Sequence, residues 1–166
     1  MFEYFPVETA PRHFKLPSGA DFSSIVELWQ SKREDRPMPG WRQFALQDFV
    51  GWHARMALSE VMPSRDDVRF QFFGSDMVFQ QGDDLTGSVL SKRLPEAYDA
   101  VYREHIATML RAPQFSLGYV AAASDQDRAK TIAVMHLPLA ADGRTINRFL
   151  HITCWKTPSV NVLSVA

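Results

Sequence analysis

The sequence predicts an α+β domain. Three observations carry this: two strand-like runs at 56–62 and 67–73, one long amphipathic helix at 95–111, and three strand-like runs between 115 and 155. Strands grouped on either side of a helical block, with short polar links inside each group, give an antiparallel sheet with helices packed against it.

Residues 1–20 carry four aromatics, Phe2, Tyr4, Phe5 and Phe14, among three prolines, which suits an arm packed on a surface better than a regular element. From Phe22 the pattern turns helical, with Phe22, Ile25, Val26 and Trp29 at i, i+3, i+4 and i+7. Asp21 or Ser18 can cap this helix, and Pro37 ends it by Arg36. Its apolar stripe must be buried, either on the chain's own sheet or against a second copy. Residues 41–55 read as a connector with a short helix near 43–48.

In the run at 67–73, Val68, Phe70 and Phe72 alternate with Arg69 and Gln71, the period of a strand with one buried face. Gly74 closes it, Ser75 or Asp76 can cap a short helical turn through Phe79, and Gly82-Asp83-Asp84-Leu85-Thr86-Gly87 reads as a tight turn. Pro95, Glu96 and Asp99 suit the start of the long helix, and Arg111 its end. Tyr98, Tyr102, His105, Ile106 and Met109 share one face of it. Phe115, Leu117, Tyr119 and Ala121 then alternate, TIAVMHLPL at 131–139 is apolar on both faces, and 145–155 alternates less cleanly. The links at Ser124–Arg128 and Ala141-Asp142-Gly143 make these three strands consecutive antiparallel neighbours.

The chain has 166 residues, 46% of them hydrophobic, which is the size and composition of one globular domain. A net charge of −1, with no Lys/Arg run longer than two, supplies no field for nucleic acid. The lone cysteine, Cys154, cannot form an intramolecular disulfide. No apolar segment approaches the roughly 20 residues of a membrane span, and the N-terminus lacks the pattern of a secretory signal. A soluble, cytoplasmic protein is expected. Neither a P-loop, a Rossmann glycine pattern, GxSxG nor HExxH is present, so no enzyme motif emerges. Asp83 and Asp84 are adjacent in a turn and point apart, which suits turn capping rather than metal or acid–base chemistry.

The order of elements and several short motifs together resemble the PAS domain family. The similarity runs over about residues 22–156. It is closest to a short bacterial branch in which a nearly stand-alone PAS domain follows an N-terminal helix, here with Leu28-Trp29, Lys32-Arg33, Arg36 and Met38-Pro39. Arg69-Phe70 with Phe73-Gly74-Ser75, the turn formed by Gly82, Asp84, Leu85, Thr86 and Gly87, and Leu137-Pro138-Leu139 with Asp142-Gly143 look like further motifs of the family. On that resemblance Gly74, Gly82, Asp84 and Gly87 are structural corners.

The resemblance implies a five-stranded antiparallel sheet with helices across one face and a helical N-terminal extension. The division expected is an arm and helix at 1–50, a PAS domain at 51–156 and a tail at 157–166. It also implies a non-catalytic sensory or interaction module in bacterial signal transduction, working as a homodimer or through a protein partner. No output domain is expected in this length.

A pocket between the long helix and the sheet would be formed by Phe72, Tyr98, Tyr102, His105, Met109, Tyr119 and His136, whose polar tips on apolar bodies suit a small molecule. The same tips could instead satisfy one another in a filled core, leaving a ligand-free scaffold. Phe22, Val26 and Trp29 are the candidate interface for a second copy or partner. Some PAS domains bind haem through a histidine on this helix, so His105 is either a haem candidate or a hydrogen-bonded core histidine. Flavin-adduct PAS domains use a cysteine on the helical side, whereas Cys154 falls in the last strand.

Overall fold

In a computed structural model, which describes residues 2–17, 19–121 and 131–155, six strands form one antiparallel sheet. In chain order the elements are β1 (Phe2–Pro6), α1 (Ser23–Lys32), β2 (Met56–Val61), β3 (Val68–Phe73), α2 (Ser75–Gln81), α3 (Glu96–Arg111), β4 (Gln114–Ala121), β5 (Thr131–Leu139) and β6 (Arg148–Trp155). The strand order is β1-β4-β5-β6-β2-β3, so the last strand lies beside β2 at the centre of the sheet. This is the antiparallel α+β arrangement expected from the sequence, with one strand added at the β4 edge.

The added strand corrects the expectation for the N-terminal arm. Phe2 to Pro6 pair with Gly118 to Gln114 in regular antiparallel register, so the arm begins as sheet. Alternation explains it: Phe2 and Tyr4 fall on one face, and Pro6, which lacks an N–H, stands at the strand's end. Three further sequence readings shift in detail. The connector at 41–55 holds three short 3₁₀ turns, at Trp41–Gln43, Leu46–Phe49 and His53–Arg55, in place of one helix. Gly74, not Ser75 or Asp76, is the N-cap of α2, and no side chain caps it. Phe22, not Asp21, is the N-cap of α1, and no side chain caps it; the Asp21 carboxylate accepts from the Ser23 N–H just beyond, at 2.9 Å. Ser18, the 124–128 link and the 157–166 tail lie outside the described residues.

Helices cover both faces of the sheet. Those on the inner face are α2 and α3; α1 lies on the outer one. There Phe22, Ile25, Val26 and Trp29 are buried to 1% exposure or less, in one cluster with Phe115, Met135, Leu137, Leu150 and Ile152. The Trp29 ring meets Phe115 edge-on at 4.8 Å, and its N–H donates to the Pro138 carbonyl at 2.8 Å. The stripe offered for a second copy is therefore spent within the chain: Phe22, Val26 and Trp29 have no surface left to give a partner.

Two motif groups far apart in sequence meet at this point. The Met38 N–H donates to the Gly143 carbonyl and the Ala140 N–H to the Pro39 carbonyl. The Arg36 stem lies over Gly143, whose φ of +79° and lack of a Cβ permit the approach. The N-terminal helix signature thus clasps the β5–β6 hairpin.

The turn at 82–87 is a corner that returns the chain to β3. Gly82 ends α2 in the left-handed conformation, and the Asp84 carboxylate accepts from the Thr86 N–H at 2.9 Å. That bonding holds the Asp84 carboxyl below its usual pKa. Gly87 then donates to the Phe70 carbonyl, and Phe70 donates to that of Ser88.

Candidate functional site

Residues directly opposite in an antiparallel sheet point to the same face. One row across the inner face reads Tyr4, Ser116, His136, His151, Ala57 and Phe73, from β1 through β4, β5, β6 and β2 to β3. Four polar side chains thus lie side by side on a buried face. From above, α3 brings His105 down onto them, with its ring centroid 4.8 Å from that of His136.

The three imidazoles are buried, at 4%, 8% and 7% exposure for His105, His136 and His151. Their bonding is sparse and local. His136 Nδ1 lies 2.6 Å from His151 Nδ1, His151 Nε2 lies 2.7 Å from the Ser59 hydroxyl, and His105 Nδ1 lies 3.0 Å from the Tyr4 hydroxyl. Phe2 stacks on the His105 ring at 3.7 Å. Gly118 makes room for it, because a Cβ there would fall 2.5 Å from the Phe2 ring. Burial drives the pKa of His105 down to about 2, with His136 adding to the effect, and that of His136 down to about 4. Burial, with the neighbouring histidines, also takes His151 well below its ordinary value. All three are neutral at physiological pH.

Beside this polar wall is a cavity of about 160 Å³, bounded by α2, α3 and the inner face of β3, β5 and β6. Its surface is mostly apolar, with Val68, Phe70, Met77, Ile106, Met109 and Val134 prominent. An apolar void of roughly 150 Å³ holds a benzene-sized molecule. Arg93, Gln80 and Gln81 also border it, and Arg93 is paired with Asp83.

Of the residues expected at a pocket, Tyr102, His105, Met109 and His136 line the cavity, and Phe72, Tyr98 and Tyr119 do not. Each departure has a local cause. Opposite Leu58 and Ser59 the register jumps from Phe72 to Phe70, leaving Gln71 as a bulge; this turns Phe72 outward, 43% exposed, and brings Phe73 inward. Tyr98 is in the first turn of α3, 57% exposed. Tyr119 is opposite Ala133 and so belongs to the outer face.

The most telling residue missed is His151. It stands as far after the 139–148 hairpin as His136 stands before it, so hairpin register alone pairs them. The same parity puts Cys154 on the outer face, where it approaches the Asp21 carbonyl at 3.9 Å and burial raises its pKa.

These geometries test the groups that PAS domains can carry. A haem macrocycle is larger than the cavity of about 160 Å³ that His105 borders. A flavin–cysteine adduct does not fit either, since the one cysteine faces away from the cavity. The imidazoles bond to each other, to Ser59 and to Tyr4. Among the described residues no set of three or more His, Cys, Asp or Glu is placed to hold a metal ion. Among the same residues no helix is long and apolar enough to cross a membrane.

No protein-family model matches the sequence, and no curated protein does. Solved structures similar in chain course include the Rhodobacter sphaeroides LOV protein, at 12% identity and a TM-score of 0.49, over 65% of this chain and 62% of that one. A fungal LOV domain photoreceptor is similar over 84% of this chain and 94% of that one, at 17% identity and a TM-score of 0.44.

Proposed function

We propose that this chain is a non-catalytic sensory module of PAS type, of the short bacterial branch its motifs resemble, and that it responds to a small molecule held under α3. The observation that carries the reading is a mostly apolar, partly open cavity with a hydrogen-bonding wall of neutral imidazoles. A filled core would leave no such space, and buried polar groups gathered at one wall of a void are the usual makings of a ligand site. Occupancy would act through His105, which touches both the cavity and β1, so that a ligand favouring one setting of α3 shifts the position of Phe2 and Tyr4. The signal would leave by contact with a protein partner, a second copy of this chain included. Because α1 buries its own stripe, that contact would draw on exposed apolar side chains such as Phe79 and Val101 on the helical side.

Thermal unfolding in the presence of single-ring aromatic compounds tests the reading. A ligand at about 100 times its Kd should raise the Tm by roughly 5–10 °C in a domain of this size. Val134→Phe, which fills the void, should abolish the rise. A Tm indifferent to every compound, in both proteins, would leave a ligand-free interaction scaffold as the better reading.

A further inference from the structure

We infer that the cavity selects a neutral, single-ring aromatic molecule bearing a strong hydrogen-bond acceptor, a carbonyl oxygen or a ring nitrogen, and that Ser59 sets this preference through two imidazoles. The inference rests on reading the cavity as a ligand site and adds the chemistry of its occupant.

Ser59 is fully buried, and its hydroxyl bonds, among the described residues, to His151 Nε2 alone. If the hydroxyl accepted, its own O–H would be stranded; if it donates, only lone pairs go unused. A stranded buried donor is the costlier outcome, so Ser59 donates. A neutral imidazole has one donor and one acceptor nitrogen, so His151 carries its proton on Nδ1. That N–H points at His136 Nδ1, 2.6 Å away, which must therefore accept. His136 is left with its proton on Nε2.

His136 lines the cavity, and its Nε2 enters no hydrogen bond among the described residues. The second imidazole at the wall has the same polarity. The Tyr4 phenol donates to His105 Nδ1, because an imidazole nitrogen is a better acceptor than a phenol oxygen, and this leaves the His105 proton on Nε2. Ser116, opposite His136 across the β4–β5 pair, is also fully buried with an unpartnered hydroxyl. At the cavity itself the two imidazoles His105 and His136 are thus both left with an N–H to donate, and a complementary molecule brings an acceptor.

The ligand's charge follows from its surroundings. Arg93 is, among the described residues, the one cationic side chain at the cavity; it is 41% exposed and paired with Asp83. A carboxylate would lose its hydration with no free counter-charge, which is costly, whereas a carbonyl or ring nitrogen needs only the N–H. The volume of about 160 Å³ accommodates one ring with a short substituent.

Two measurements on the full chain test this. Long-range ¹H–¹⁵N spectra of the histidine rings should show His136 protonated on Nε2 and His151 on Nδ1; the reverse tautomers would overturn the relay. Calorimetry should then show acetophenone binding about tenfold more tightly than ethylbenzene, a shape match without the acceptor. Ser59→Ala should erase that preference while leaving ethylbenzene within about twofold of its wild-type affinity. Equal affinities in the wild type would overturn the acceptor preference but leave the cavity as a ligand site. Failure of both compounds to bind would overturn the ligand reading itself, whatever the tautomers. Where Ser59→Ala does not fold, the wild-type spectra and the paired affinities decide.

Discussion

The two faces of one sheet are built from alternate residues of the same strands, yet they do opposite things. On the outer face, Met135, Leu137, Leu150 and Ile152 meet the α1 stripe in a buried apolar layer in which the polar Trp29 N–H has its partner. One residue along each strand, the inner face sets His136 and His151 beside a void. Packing without gaps gives stability, and a gap beside buried polar groups gives a place for chemistry to be recognised. The period of two in a β-strand lets one segment do both.

If that division holds, the largest loss of stability comes from the outer face. Trp29→Ala removes a fully buried ring and strands the Pro138 carbonyl, and should cost about 3–5 kcal/mol, read from denaturant unfolding. A loss under about 1 kcal/mol would mean that the outer layer is not where the fold is held.

The inner face should reveal itself next, through pH. Buried histidines with depressed pKa values bind fewer protons folded than unfolded, so their burial is without penalty above the ordinary value of 6.5 and destabilises as pH falls below it. The loss should grow through the window from about 6.5 toward 4, the folded value of His136, with proton uptake on unfolding approaching three. A Tm flat across that window would contradict the burial of the three imidazoles.

A smaller effect sharpens the comparison at the β3 bulge. Phe73→Ala should weaken binding of a cavity ligand several-fold, whereas Phe72→Ala, on the outward side, should leave it unchanged and cost less than about 1 kcal/mol in stability. Equal effects of the two changes would mean that the register does not shift at Gln71.

How far the sequence discloses this division follows from the range of each signal. The α1 stripe, the α3 stripe from Tyr102 on, the alternation in the β4 run and the glycine corner at 82–87 are local patterns, and the structure keeps them. Strand β1 was hidden because its five residues look like a proline-bounded aromatic arm until the β4 edge supplies a partner. Phe72 was misplaced because one bulged residue inverts parity for the rest of the strand, and alternation alone carries no mark of it. His105 and His136 were legible as polar residues in apolar runs. Seeing His151 required the hairpin register, a pairing between strands rather than a pattern within one.

If the two faces divide in this way, a small apolar molecule enters on the inner face and not on the outer one. Methyl NMR during a titration with benzene tests it most directly, because both faces carry reporters. Shifts should concentrate on Met77, Ile106, Met109, Ile132 and Val134, around the cavity, and spare Met38, Met135, Leu137 and Ile152 on the outer side. Shifts shared equally by both sets, or absent from the first, would contradict it.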